Sequence, residues 1–395
     1  MIHAPTAPSA FDLLARAEEL VPALRARASE TEELRRLPDE TISDFERAGL
    51  FSAMLPATLG GSQIDLIEYV DIVRTLSRGD ASAGWVGAFL MAHNLLLARY
   101  GVQAQSDFFQ GGTYALAAAA ATPPGTAAPT EGGYLVSGRW RFASAVMHAQ
   151  WVMVSALSPT GPLSVAVPIE DVTVIDTWQV PGMKGTGSND VEAEDVFVPA
   201  HRTIEFALFS ADSERAAALH PGYPLAAYPV NRILPVIQAA VALGTADAAL
   251  ELFRGNAGKR VRMQTGQRIV DDPLVRSAYA HAWDLLHVAE LQMRDALEMT
   301  AAIYGPERSQ EASLENRAVI NLGLTGAGTK AFAAVDLVVR SSGASIFRTG
   351  DPLERICRDV QVIRNHASAD FMTMSAVAGG VLLGQDLGDF PEPLF

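Results

Sequence analysis

The residues of this chain with chemistry to offer are few and far apart. Ser144 and His148 put a hydroxyl and an imidazole into the otherwise apolar run Gly138-Arg-Trp-Arg-Phe-Ala-Ser-Ala-Val-Met-His-Ala-Gln-Trp151. A second imidazole, His93, lies in the apolar segment from Trp85 to Tyr100, and a third, His366, follows Arg355-Ile-Cys-Arg-Asp-Val360. A polar turn between two aromatic-rich strands is a good place to meet a flat cofactor. Taken singly, Ser144 could satisfy the turn, His148 could cap a strand end, and His93 could be an ordinary core histidine.

Several chemistries drop out at once. The best metal-ligand pair is Asp284 with His287, one helical turn apart, and two groups do not make a site; neither His-Glu-x-x-His nor the Glu-x-x-His of a di-iron bundle occurs. Gly182-Met-Lys-Gly-Thr-Gly-Ser188 is glycine-rich but leads into a strand pattern, whereas a phosphate loop or dinucleotide fingerprint needs a helix N-terminus behind its glycines. There is no Gly-x-Ser-x-Gly elbow, and Cys357 sits beside Arg358 and Asp359 in a charged helical context. What remains is chemistry carried by a cofactor, with the protein supplying position and electrostatics.

The elements that must do the positioning fall into three blocks. Residues 11 to about 113 have helical periods: Phe11 to Ala28, a helix from Leu37-Pro38-Asp39 to Gly49, then Asp65 to Ser77 and Ser82 to Tyr100. From Tyr114 to Val198 short apolar runs alternate with turn residues, as in a small antiparallel β-barrel or sandwich. Thr122-Pro-Pro-Gly125 is expected to stop the first run, and Tyr134, Val136, Trp140 and Phe142 to share one buried strand face. Helical periods return after Pro229, over Ile233 to Gly255, Leu274 to Tyr304, Leu314 to Ser342 and Leu353 to Leu383, several apolar all round. The expected domains are 1–113, a helical domain; 114–228, a β-domain; 229–385, a helical bundle; and a tail, 386–395.

The chain has 395 residues, enough for two or three such units, and its net charge of −15 makes nucleic acid or an anionic membrane a poor partner. A single cysteine rules out internal disulfides. Its N-terminus lacks a basic region followed by an apolar core, and no run of about 18 uncharged apolar residues offers a membrane span, so a soluble cytoplasmic protein is expected.

Three local patterns carry a resemblance that covers nearly the whole chain. They are Ser137-Gly-Arg-Trp-Arg-Phe-Ala-Ser144; Gly182-Met-Lys-Gly-Thr-Gly-Ser-Asn-Asp-Val191 with Asp195-Val-Phe-Val-Pro199; and Arg355-Ile-Cys-Arg-Asp-Val360 ahead of Asn365-His366. In this order, between helical blocks, the chain resembles the acyl-CoA dehydrogenase superfamily. The dehydrogenases take the α-proton of a thioester with a glutamate placed after the Arg-Asp helix. Here that segment reads Ile363-Arg-Asn-His-Ala-Ser368, without a carboxylate until Asp370. An imidazole in that place looks like the reduced-flavin-dependent two-component monooxygenases of the same fold.

The resemblance implies an oxygenase component that accepts FADH2 or FMNH2 from a separate NAD(P)H-dependent flavin reductase. Through a C4a-hydroperoxyflavin it would pass one oxygen of O2 to an aromatic or heteroaromatic small molecule, an indole among the options. An FAD-dependent acyl-CoA dehydrogenase-like desaturase is the alternative. The resemblance puts Ser144 at flavin N5 and His366 near C4a, with Trp140, Phe142 and Thr186 as flavin or pocket neighbours. Trp85 and His93 would line the substrate pocket, and His148 would support the turn. Arg254, Lys259, Arg260 and Arg262 form a basic cluster, from which Arg260 would meet the flavin phosphate across a subunit boundary of a homotetramer.

Overall fold

Helix starts in this chain are written in short polar pairs. Ser9 accepts the Asp12 amide while the Asp12 carboxylate takes the Ser9 amide, and this reciprocal cap opens α1 (Ala10–Leu34). After α2 (Asp39–Ala48), which Gly49 ends in the left-handed conformation, the same device in Asp65 and Glu68 opens α3 (Leu66–Gly79). Asp80 caps α4 (Ala81–Leu97), buried along almost its whole length, and α5 (Val102–Phe108) follows. The computed structural model describes residues 8–110, 114–211, 213–262, 265–391 and 395.

Seven strands then form one sheet: β1 (Ala117–Thr130), β2 (Gly133–Ala143), β3 (Trp151–Ser158), β4 (Gly161–Pro168), β5 (Thr173–Ile175), β6 (Asn189–Pro199) and β7 (Thr203–Glu205). Their order is β5-β6-β2-β1-β3-β4-β7. All pairs are antiparallel except β1 with β3, so the sheet is mixed rather than purely antiparallel. Nor do Pro123 and Pro124 end β1. The strand runs through them because the register to β3 shifts between Ala120 and Gly125, and a bulge tolerates residues that cannot donate to the ladder.

The expected alternation along β2 fails at one place. Val136 and Trp140 are fully buried, but Phe142 is 64% exposed and has φ of +64°. Its pairing with β6 slips between Trp140 and Ala143, and that bulge turns the Phe142 ring outward. Trp140 fills the interior of the β-domain, its indole against Gly125 and Gly138, where a Cβ would stand 2.4 Å and 2.9 Å from the ring.

The last block holds α6 (Phe206–Ser210), α7 (Ser213–Leu219), α8 (Val230–Ile233), α9 (Pro235–Ala257), α10 (Pro273–Tyr304), α11 (Leu314–Ser342), α12 (Pro352–Ile363) and α13 (Phe371–Leu382). Leu353 to Leu383 is thus two helices, not one. Between them the His366 side chain accepts the Ser368 amide and Asp370 accepts the Thr373 amide, and two caps in succession break the helix. The helical blocks at the two ends of the chain share one apolar core, in which Phe45, Tyr69 and Leu90 join Val241, Leu297 and Val335. Val230–Ala257 and Leu314–Ser342 are long and apolar enough to cross a bilayer, yet 83% and 61% of their most apolar windows are buried against neighbouring helices.

Candidate active site

The bulge that turns Phe142 outward also presents Ser144 to α4. Ser144 Oγ accepts the indole N–H of Trp85 at 3.0 Å and lies 2.8 Å from Ser188 Oγ. Ser188 is 2.7 Å from Thr186 Oγ1, whose hydroxyl donates to the Met183 carbonyl at 2.9 Å. The glycine-rich segment therefore works as a wedge. A Cβ on Gly182 would stand 2.3 Å from the Arg358 carbonyl oxygen, and one on Gly185 would stand 2.1 Å from Thr31. Only bare backbone lets this loop lie against α12 and α1 at once.

The other face of Trp85 meets the break between α12 and α13. The His366 ring stands edge-on to Trp85 at 5.1 Å between centroids, Trp85 to Phe89 is 5.4 Å and Phe89 to His93 is 5.2 Å. Positions 85, 89 and 93 are successive turns of one face of α4, so the helix lays its rings out as a ladder with an imidazole at each end. On the Ser144 side, the exposed Phe142 and Met147 and the half-buried Trp178 add an apolar surface open to solvent.

The two imidazoles are set in opposite tautomers. His93 Nδ1 lies 2.6 Å from the Ala117 carbonyl, which can only accept, so Nδ1 carries the hydrogen. Its Nε2 is then a buried acceptor without a partner among the described residues. Burial lowers the pKa of His93 to about 4, so it is neutral at pH 7. In His366, Nδ1 accepts the Ser368 amide at 3.2 Å, which leaves Nε2 as the N–H donor. His366 keeps solvent access, yet the protein around the ring still lowers its pKa by desolvation and the ring is uncharged at neutral pH.

Beneath the loop lie two buried carboxylates. The Met183 amide donates to Asp359 at 2.5 Å, and Asp80, the cap of α4, stands close enough to raise Asp359 further. Burial is the main cause in both and lifts Asp80 to about 6 and Asp359 to about 7. Arg355 pairs with Glu32 at 3.1 Å and Arg358 grips Glu32, Glu354 and the Pro181 carbonyl, so the Arg-Asp pattern ties α12 to α1 and to the glycine loop.

The remaining sequence candidates are placed as follows. Thr186 is buried in the hydroxyl chain, and Phe142 is exposed with its ring edge-on to Trp178 at 6.1 Å. Trp140 is corrected: it is fully buried and its N–H donates to the Ser155 carbonyl at 2.7 Å, so it shapes the β-domain and offers no face to a cofactor. His148 is half-buried behind the turn, its pKa lowered to about 4 by burial and by Arg36. Arg260 is not brought to the cluster. It lines a cavity of about 70 Å³, donates to the Ser342 carbonyl at 2.9 Å and pairs with Asp351 at 3.8 Å. That is the start of α12, whereas His366 follows its end, a helix length of about 18 Å away. Ser188 and Asp359 lie inside the glycine-rich and Arg-Asp patterns without being singled out there, and Asp80 and Trp178 lie outside every pattern named in the sequence.

Comparison with known proteins agrees with this architecture. The family profile "Acyl-CoA dehydrogenase, N-terminal domain" matches residues 15–110, and "Acyl-CoA dehydrogenase, C-terminal domain" matches residues 236–371. The oxygenase subunit HsaA of a flavin-dependent monooxygenase from Rhodococcus jostii is 34% identical over 90% of this chain and 94% of its own length. The chain belongs to the flavin-dependent monooxygenase branch of the acyl-CoA dehydrogenase superfamily. Within that branch, a pigment production hydroxylase from a Rhodococcus species is 32% identical over 96% of this chain and 98% of its own. The crystal structure of a 3-HSA hydroxylase from Rhodococcus superposes with a TM-score of 0.89 at 30% identity, covering 97% of this chain and 99% of that one. XiaF from a Streptomyces species, solved with FADH2 and glycerol, also reaches 0.89, at 27% identity and 97% coverage of both chains.

The site suits a reduced flavin on its own chemistry. Ser144 retains capacity for one further hydrogen bond, His366 offers an N–H, and the outward ring of Phe142 sits in a backbone conformation that a bulky residue adopts at a cost.

Proposed function

We propose that this chain is the oxygenase component of a two-component flavin-dependent monooxygenase that hydroxylates an aromatic or heteroaromatic small molecule. It would receive FADH2 or FMNH2 from a separate NAD(P)H-dependent reductase and use O2 as co-substrate. The observation that carries this reading is His366, an uncharged N–H donor held against Trp85, whose indole N–H donates to Ser144, at the place where the dehydrogenases keep a carboxylate.

Bound reduced flavin supplies the electrons that activate O2. The chain's own residues bind, orient and keep water out. Ser144 would meet N5 of the flavin, Phe142 and Met147 would cover it, and His366 Nε2–H would donate to the oxygen side. Trp85 and Phe89 would give the bound flavin an apolar wall that helps keep water out. At its far end His93 Nε2 would accept a hydrogen bond from a substrate hydroxyl or ring N–H. A group with pKa about 4 accepts such a bond but is a weak base at pH 7, so His93 orients the substrate rather than deprotonating it.

A homotetramer in the cytoplasm belongs to the same reading. Trp283, Val288 and Leu291 leave apolar side chains of α10 exposed, which a second copy would cover. The decisive experiment mixes the protein with enzymatically or chemically reduced FAD or FMN, O2 and a panel of phenols and indoles, and measures hydroxylated product against hydrogen peroxide. Product is expected with the wild type, and His366→Ala should shift the yield toward peroxide at least severalfold. Oxidised FAD bleached by an acyl-CoA without any reductase would instead identify a dehydrogenase.

A further inference from the structure

We propose that Thr186 and Ser188 are positioning residues that hold the Ser144 hydroxyl as a hydrogen-bond acceptor and thereby make this site prefer reduced over oxidised flavin. The inference rests on the flavin reading above and concerns which redox form is retained.

Each hydroxyl in the chain has one hydrogen to give. The Met183 carbonyl can only accept, so its 2.9 Å contact uses the hydrogen of Thr186. The 2.7 Å contact from Thr186 to Ser188 must then use the hydrogen of Ser188, and the 2.8 Å contact from Ser188 to Ser144 uses that of Ser144. Trp85 Nε1 can only donate, and it fills one lone pair of Ser144 at 3.0 Å. What Ser144 has left is a single acceptor lone pair. Thr186 and Ser188 are 2% and 3% exposed, so neither can turn its hydrogen to water instead.

The end of the relay is held in place. Met183 has its amide on Asp359 and its carbonyl on the Trp178 indole as well as on Thr186, and Gly182 and Gly185 seat the loop against α12 and α1. Reduced flavin carries a hydrogen on N5 and oxidised flavin carries a lone pair there. The relay as built accepts from the first. To serve the second, either all three hydroxyls reverse and Thr186 gives up the Met183 carbonyl, or Ser144 alone turns and gives up Ser188; each costs one hydrogen bond. At the net strength of an ordinary hydrogen bond that favours the reduced form by about three- to tenfold. Such a preference suits a protein that must collect a diffusing reduced flavin and release the oxidised one.

The test is anaerobic equilibrium dialysis of the full chain against FAD and FADH2, and against FMN and FMNH2, giving a ratio of dissociation constants for each pair. In Thr186→Val the Ser188 hydrogen can go only to Ser144, whose own hydrogen then points outward. The ratio should fall about three- to tenfold, and Thr186→Ser, which keeps the hydroxyl, should restore it. Ser188→Ala breaks the relay one step nearer and should lower the ratio too, so it carries the test should the valine variant not fold. A wild type that binds reduced flavin, with a ratio unmoved by Thr186→Val or Ser188→Ala, overturns the relay and leaves the flavin reading standing. A wild type that binds neither redox form of either flavin overturns both.

Discussion

His93 makes a quantitative claim about acid stability. Its ring is 1% exposed, its pKa falls from 6.5 to about 4, and burial is the first cause. Below pH 6.5 the unfolded chain takes up a proton at this position while the folded chain does not until about pH 4. Stability from the neutral ring is therefore complete above pH 6.5 and drains away as pH falls toward 4, by about 3 kcal/mol at 1.36 kcal/mol per unit. His148 adds loss of the same sign, whereas Asp80 and Asp359, which hold protons to higher pH when folded, oppose it. A single curve of stability against pH mixes these groups, so a difference is needed. His93→Asn keeps an amide N–H for the Ala117 carbonyl and does not titrate. Its packing cost is constant with pH, and the gap between variant and wild type should narrow by about 2–3 kcal/mol between pH 7.5 and 4.5. Denaturant midpoints followed by tryptophan fluorescence at each pH measure it. Two parallel curves would show that His93 is not held neutral, and its assignment as a buried acceptor would fail with them.

Two further predictions test the loop. In Gly182→Ala the new Cβ would meet the Arg358 backbone at 2.3 Å, so the loop must leave α12; a loss of several kcal/mol of stability and of flavin binding is expected by thermal melting and dialysis. Gly255→Ala on the exposed face of α9 has open space and is the control, with a gain of up to about 1 kcal/mol. Asp359→Asn should leave the Met183 amide its acceptor and remove a buried charge. Since the raised pKa of Asp359 makes the folded chain less stable as pH rises from 4 toward 7, the variant should gain on the wild type at pH 8 relative to pH 5. A gain that is the same at both pH values would refute the buried ionisation.

Much of this architecture was legible because its signals are local. Apolar periods mark the helices, polar pairs such as Ser9 with Asp12 mark where they start, and turn residues divide the strands. The failures were local rules overruled by pairing. The Pro123-Pro124 break vanished into a bulge because β3 holds β1 on both sides of it. Phe142 left the buried face because β6 could not keep register through the same turn. Trp140 passed for a cofactor neighbour because the resemblance carries the pattern around Ser144 but not which side of the strand each aromatic faces.

By itself the sequence determined the order of helical, β and helical blocks and the branch of the superfamily, since both are carried by contiguous motifs and short-range periodicity. Only the tertiary structure decided that Ser144 and His366, 222 positions apart in the chain, share one indole. It also decided that Thr186 donates to the Met183 carbonyl and that Ser188 stands between Thr186 and Ser144. Proximity between distant segments and the direction of a hydrogen bond depend on which groups are buried together, and no spacing along the chain records that.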